Sequence, residues 1–320
     1  MKTKAENSTK ESTPFVLKLN PILEKDMKTK LRGWRSTILI SCYVILLICI
    51  LFVYFAGNNV FSPYSNGGFD PRMAIDAYNL IITFQFALLF LAVPAITATS
   101  VSSERERQTL DLMLVTNTPA RKIIMGKIMV SLAHTMLLLI ASMPVIGVVF
   151  FFGGIGFLDI FKLLLFYVLT SFFVASCGVF FSTVFKRNIV AIITTYISLG
   201  LITFGPFIAF AISVTLRQRF SMSGFNLIYQ DYVAALFSSS VFGFTSFYIG
   251  DSGMSMYYGY SGGMGILSSV AQEIESLIAV APGFWKWMRP WLVNGLFNIL
   301  ASVGLLFLSA SILNPIHRKK

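Results

Sequence analysis

The chain has 320 residues, of which 56% are hydrophobic and only 12% are charged, with a formal net charge of +11. Soluble domains carry about 25% charged residues, so this composition excludes an ordinary soluble protein and indicates a membrane protein. The basic excess would suit a nucleic-acid partner, but 19 of the 25 Lys and Arg lie in short clusters beside apolar runs. That distribution is typical of the cytosolic ends of membrane spans and argues against a groove for phosphates.

The first 35 residues are polar and hold nine of the 25 Lys and Arg. From position 21 onward, apolar side chains alternate with basic ones at roughly helical spacing. This pattern predicts an amphipathic helix on the cytosolic membrane surface, with a flexible basic tail as the alternative. The residues assigned to this interfacial helix are Pro21, Leu23, Lys25, Met27, Leu31 and Trp34.

Six later runs are each long and apolar enough to cross a bilayer, which takes about 20 residues. They are Thr37–Ala56, Tyr78–Thr99, Ile123–Phe151, Phe161–Phe185, Ile189–Val214 and Trp291–Leu313. The charge bias places both termini in the cytosol, together with the links at 102–122 and 185–188. We therefore predict an all-α polytopic membrane protein with six transmembrane helices.

The link between the second and third spans is a charged segment rather than a plain loop. Ser103 and Glu106 have the spacing of a capping box, which predicts a helix beginning there. On such a helix Leu110, Met113 and Leu114 share one side, and acidic and amide side chains occupy the other. We interpret 102–118 as a short amphipathic helix that is presented to a partner in the cytosol.

The fifth and sixth spans are joined by a long external segment, 216–290. Its stretches 226–237 and 266–281 are apolar enough for short helices on or in the outer leaflet, and the Gly- and Tyr-rich middle carries turn signals. A role in gating and simple packing on the outer face both stay open. The chain is accordingly divided into a basic tail with the interfacial helix (1–35), spans one to five (36–215), the external segment (216–290), and the last span with a basic tail (291–320).

The sequence lacks the parts that most membrane enzymes and carriers need. There is no phosphate-binding loop for ATP, and no span contains two carboxylates, which counts against an ion-coupled carrier. His134 lies within the third span, where a hydrogen-bonded packing role is favoured over metal or proton chemistry. No catalytic residue and no metal site are predicted.

Three motifs resemble those of the ABC-2 type permeases, the membrane subunits of a class of ATP-binding-cassette exporters. The first is the segment with Glu104-Arg-Glu-Arg107, Thr109-Leu110 and a Leu-rich turn, followed by Arg121-Lys122 and Gly126-Lys127. The second is the link from Phe181 to Asn188, and the third is the stretch from Asn20 to Asp26. Their order, together with six spans, extends the resemblance over essentially the whole chain.

The resemblance implies an ABC-2, type V-like exporter permease architecture in a bacterial plasma membrane, with ATP and Mg²⁺ bound by separate ATPase subunits and no cofactor in this chain. It also implies a second permease subunit, identical or related, and the use of segment 102–118 as the coupling helix. The expected ATPase-coupling residues are Glu104, Arg105, Glu106, Arg107, Thr109, Leu110, Met113 and Leu114. A second cytosolic contact is expected at Lys186, Arg187 and Asn188.

The function expected from the sequence is therefore that of a permease exporting a lipophilic or amphipathic substrate, with ATP hydrolysis in a partner. Two alternatives stay open. A membrane docking or regulatory protein would use the same cytosolic segment without moving cargo, and a gradient-driven carrier or channel would need no ATPase. Neither the substrate nor the choice between a homodimer and a heterodimer follows from the sequence.

Overall fold

A computed structural model describes residues 33–58, 71–110, 119–151, 156–220, 238–250 and 290–313. Throughout these ranges the regular secondary structure is helical. The helices are α1 (Trp34–Gly57), α2 (Pro71–Thr97), α3 (Ser102–Glu106), α4 (Ala120–Phe151), α5 (Phe157–Val184), α6 (Asn188–Phe220), α7 (Ser240–Gly250) and α8 (Pro290–Leu313).

Six of these helices are long and apolar enough to cross a membrane: α1, α2, α4, α5, α6 and α8. The predicted all-α fold with six spans is thereby confirmed. The largest difference at the start of a span is in α2, which begins at Pro71 rather than Tyr78. Proline suits the first turn of a helix, and Ala74 and Ala77 are buried in the core, so the helical pattern extends further back than the apolar run.

Helix α5 lies at the centre of the bundle and is the most buried of the six spans. It contacts α8 most extensively and also packs against α2, α4 and α6. Small side chains allow this close approach, because helices in lipid gain their contacts from packing rather than from a hydrophobic drive. At Gly178, a Cβ atom would overlap with the Thr97 hydroxyl and lie 3.1 Å from the Ala98 backbone nitrogen.

Helix α7 belongs to the long external segment and is tied to two spans at its start. The Asn294 amide of α8 donates to the Ser239 carbonyl over 3.0 Å, and the Ser239 hydroxyl donates to the Thr203 carbonyl of α6 over 2.6 Å. Phe244 of α7 stacks on Phe86 of α2 with ring centroids 4.5 Å apart. The helices predicted at 226–237 and 266–281 lie outside the described residues.

The interfacial helix predicted before the first span is described at one position only. Trp34 is the first residue of α1 and is largely exposed. The other residues assigned to that helix, Pro21, Leu23, Lys25, Met27 and Leu31, lie outside the described residues.

Candidate functional site

The charged link between α2 and α4 folds differently from the single amphipathic helix that was predicted. Helix α3 ends at Glu106, and Gln108 adopts a φ of 58°, a left-handed conformation that breaks a right-handed helix. The predicted capping box is wrong as well. Val101 is the N-cap residue without a side-chain bond, and the Glu106 carboxylate bonds to Asn188 instead.

Glu104 points into the protein and forms an ion pair with Lys127 of α4. The Lys127 side chain is 1% exposed and that of Glu104 is 15% exposed, so both charges are largely removed from water. Burying either charge alone costs several kcal/mol, and the opposite charge offsets this cost only when the contact is close. The pair therefore holds α3 against the first turns of α4.

Glu106 connects α3 to the start of α6. Its carboxylate accepts hydrogen bonds from the Asn188 backbone N–H over 2.7 Å and from the Asn188 side-chain amide over 2.5 Å. Asn188 is the first residue of α6, where unpaired N–H groups and the positive end of the helix dipole favour an anion. Ser102 also donates to the Asn188 side-chain oxygen over 2.5 Å, so α6 is joined to both ends of α3.

Ser182 of α5 completes this network from the centre of the bundle. Its hydroxyl oxygen accepts hydrogen bonds from the backbone N–H groups of Val101 and Ser102, each over 2.9 Å. The first N–H groups of a helix have no partner within it, and here a side chain of another helix supplies the acceptor. The Ser102–Glu106 helix is thus bonded to α4, α5 and α6.

The predicted coupling residues fall into three groups. Glu104 and Glu106 bond within the protein, and Leu110 is buried in the hydrophobic core. Arg107 and Thr109 are exposed, whereas Arg105 is half-buried. Met113 and Leu114 lie outside the described residues.

The second predicted contact lies beside the first. Lys186 and Arg187 are exposed and immediately precede Asn188, which bonds to Glu106. Arg107, Gln108, Lys186 and Arg187 therefore line one exposed, basic surface at the end of the bundle. We call these four residues the basic surface.

A row of polar side chains continues from Lys127 along the buried side of α4. Ser131, His134, Thr135 and Ser142 are all buried, at helical spacing that keeps them on one side. His134 Nδ1 lies 3.4 Å from the Ser36 hydroxyl of α1, and Ser142 accepts a bond from the Gln85 amide of α2 over 2.8 Å. These contacts join three spans, which agrees with the packing role favoured for His134.

Sequence reasoning missed Ser182 and the burial of Lys127. A serine in an apolar run carries no sign that it caps a helix 80 positions earlier. Lys127 was noted only within the Gly-Lys motif. Lys127 is nevertheless the fifth residue of the predicted span Ile123–Phe151, which is a usable signal, because intramembrane charges are rare and are usually paired.

The family model described as "ABC-2 family transporter protein" matches residues 20–248, more than two thirds of the chain. This match includes the ion pair, the helix cap at Asn188 and the basic surface. No curated protein matches the chain. Members of this family are membrane components of transporters and are not themselves catalytic. The chain therefore belongs to the ABC-2 transporter family and is an integral membrane permease component of an ABC transporter.

Proposed function

We propose that this permease works with separate ABC ATPase subunits and exports a lipophilic or amphipathic substrate from a bacterial cell across its plasma membrane. ATP and Mg²⁺ would bind to the ATPases, and two permease subunits would pair to form the path. The observation that carries this proposal is the network around α3. Because α3 is bonded to α4, α5 and α6, a displacement of this short helix is passed to three spans at once.

The basic surface is the region we assign to ATPase docking. It is exposed, it carries three cationic side chains, and it adjoins α3 through the bond between Glu106 and Asn188. Charged side chains at the rim of an interface guide association and fix its orientation. An ATPase that binds here would press on α3 without any need to contact Glu104 or Leu110.

The coupling step follows from a difference in binding. ATP favours the closed ATPase pair, and that pair favours one arrangement of the two α3 helices over the other. A ligand shifts a conformational equilibrium only by its difference in affinity for the two states. The rigid attachment of α3 then converts the ATPase closure into a tilt of α4, α5 and α6.

Charge reversal of the basic surface tests the proposal. The proposal requires acidic side chains on the ATPase surface that binds here. Arg107→Glu combined with Lys186→Glu and Arg187→Glu would place like charges across that interface, which costs several kcal/mol, and should reduce the ATPase retained by the purified permease at least about tenfold. ATP-dependent flux into inverted vesicles should fall in parallel. These side chains are exposed, so the level of folded permease should stay unchanged.

A matched control reverses a charge at the opposite end of the bundle. Lys162 lies at the start of α5, beside Asp159, and its side chain is 31% exposed. Lys162→Glu should retain the ATPase as the unaltered chain does. Full retention in the triple variant would contradict docking at the basic surface. Retention without flux in the unaltered chain would favour a docking protein that moves no cargo.

A further inference from the structure

A groove lies between the first turns of α4 and the last turns of α8, on the lipid side of the bundle. Its volume is about 240 Å³. It is lined by Arg121, Ile124, Met125, Leu306, Phe307 and Ala310. In the sequence, Arg121 and Lys122 lie in the first turn of α4, and Arg318-Lys-Lys follows the end of α8. Such basic residues mark the cytosolic ends of spans, so the groove sits at the level where the cytosolic leaflet meets water.

The groove is apolar apart from its mouth. Ile124 and Ala310 are buried and form the floor, whereas Met125 is 56% exposed and Phe307 is 63% exposed on its two walls. Phe307 lies about 9 Å along the axis from Leu313, the last residue of α8, at about 1.5 Å per residue. The walls therefore reach from the headgroup level into the hydrocarbon, where an acyl chain would follow them.

A cation stands at the mouth of this groove. The Arg121 guanidinium carbon lies 5.8 Å from the centroid of the Phe307 ring, a cation–π contact that keeps it over the apolar wall. Among the described residues, no carboxylate pairs with it. A guanidinium presents a planar fork of donors that matches a phosphate, so its donors suit a headgroup phosphate just above the hydrocarbon.

We propose that this groove between α4 and α8 binds an anionic phospholipid of the cytosolic leaflet. The headgroup phosphate accepts hydrogen bonds from Arg121, and one acyl chain lies along Met125 and Phe307. Basic pockets between spans on the cytosolic side select anionic headgroups, since the adjacent leaflet is rich in them. The site does not depend on which substrate the permease moves.

The test titrates the delipidated, full-length chain in detergent with phosphatidylglycerol and, separately, with phosphatidylcholine, and counts bound lipids by native mass spectrometry. The unaltered chain should prefer phosphatidylglycerol. Arg121→Gln should weaken that binding about fivefold, the effect of one basic side chain near a membrane surface. Met125→Trp, which narrows the groove without changing charge, should weaken it as well.

Lys122→Gln is the matched control, because Lys122 is exposed, adjacent to Arg121 and absent from the groove lining. It should change the affinity less than twofold. Equal losses in the Arg121 and Lys122 variants would overturn the proposal in favour of general surface charge. Equal affinity of the unaltered chain for the two lipids, or no effect of Met125→Trp, would overturn it too. An unchanged elution profile on size exclusion verifies that each variant is folded.

Discussion

The largely buried ion pair between Glu104 and Lys127 joins the cytosolic segment to α4. Removing one member of such a pair leaves the other charge buried without compensation. Removing both leaves two uncharged side chains, which cost far less to bury. The pair therefore adds little net stability, and its main effect is to fix the position of α3.

We predict that Lys127→Met will lower the free energy of unfolding by about 3–5 kcal/mol, and that adding Glu104→Gln will recover most of this loss. The measurement is thermal unfolding of the purified chain in detergent. Lys122→Met is the control, since Lys122 is exposed on the same helix. A Lys127→Met variant with the same melting temperature as the unaltered chain would show that the pair is not formed in the folded protein.

The Ser182 hydroxyl holds the start of α3 against α5. Ser182→Ala removes the oxygen that accepts bonds from the N–H groups of Val101 and Ser102. A buried donor left without an acceptor costs about 1–3 kcal/mol, so we expect a clear drop in melting temperature and in ATP-dependent flux.

Ser176→Ala is the control for this prediction. Ser176 is equally buried on α5, but within the part of the chain that the structure describes its hydroxyl bonds only to the Phe172 carbonyl of its own helix, over 2.7 Å. Its loss should leave both flux and melting temperature nearly unchanged. Equal effects of the Ser176 and Ser182 substitutions on flux and melting temperature would mean that the hydrogen bonds between Ser182 and α3 contribute to neither.

At the scale of the helices, α5 organises the bundle because small residues let its neighbours approach closely. Gly178→Ala would place a methyl group against the Thr97 side chain and 3.1 Å from the Ala98 nitrogen, at the end of α2 that leads into α3. Overpacking of this kind costs about 1–3 kcal/mol. We expect a lower melting temperature together with weaker coupling of ATP hydrolysis to flux.

Gly147→Ala on α4 is the comparison for Gly178→Ala. Nothing lies within 4 Å of the position of its added Cβ atom. Alanine favours a helix over glycine by up to about 1 kcal/mol, so this variant should be as stable as the unaltered chain or slightly more stable. If Gly178→Ala behaves in the same way, α2 and α5 do not pack as closely as the structure places them.

Charge reversal at Glu104 would not test docking by itself, because Glu104 forms the ion pair with Lys127. A lysine at position 104 would face the buried Lys127, so the folded chain would be destabilised before any partner is involved. Reversal at Arg107 alters only an exposed side chain. The exposed basic surface, and not the two glutamates, is therefore the place where docking can be tested separately from folding.

At the scale of the whole molecule, the six spans could be predicted from the sequence because each is a continuous apolar run. Bilayer thickness fixes the length of such runs and leaves few alternatives. The charged segment between the second and third spans is conspicuous in an apolar chain for the same reason, and its use as the docking site stays a prediction.

The internal arrangement of the site could not be predicted in the same way. Glu104 meets a residue 23 positions later, Glu106 meets one 82 positions later, and Ser182 bonds across 81 positions. Helix packing brings these residues together although they are far apart in the sequence, and local spacing patterns carry no information about such contacts. The Ser103–Glu106 spacing favours a capping box. In the structure the Glu106 carboxylate instead accepts two hydrogen bonds from Asn188 at the N-terminus of α6, one from its backbone N–H and one from its side-chain amide.

The central claim is that this permease is driven by a separate ATPase. The most direct measurement is purification of the tagged chain from native membranes in mild detergent after crosslinking. The eluate is then assayed for a Walker-motif protein and for vanadate-sensitive ATP hydrolysis. We predict that both will be present, and that both will be reduced at least about tenfold by charge reversal of the basic surface. A crosslinked chain that carries neither an ATPase nor hydrolytic activity would contradict the account.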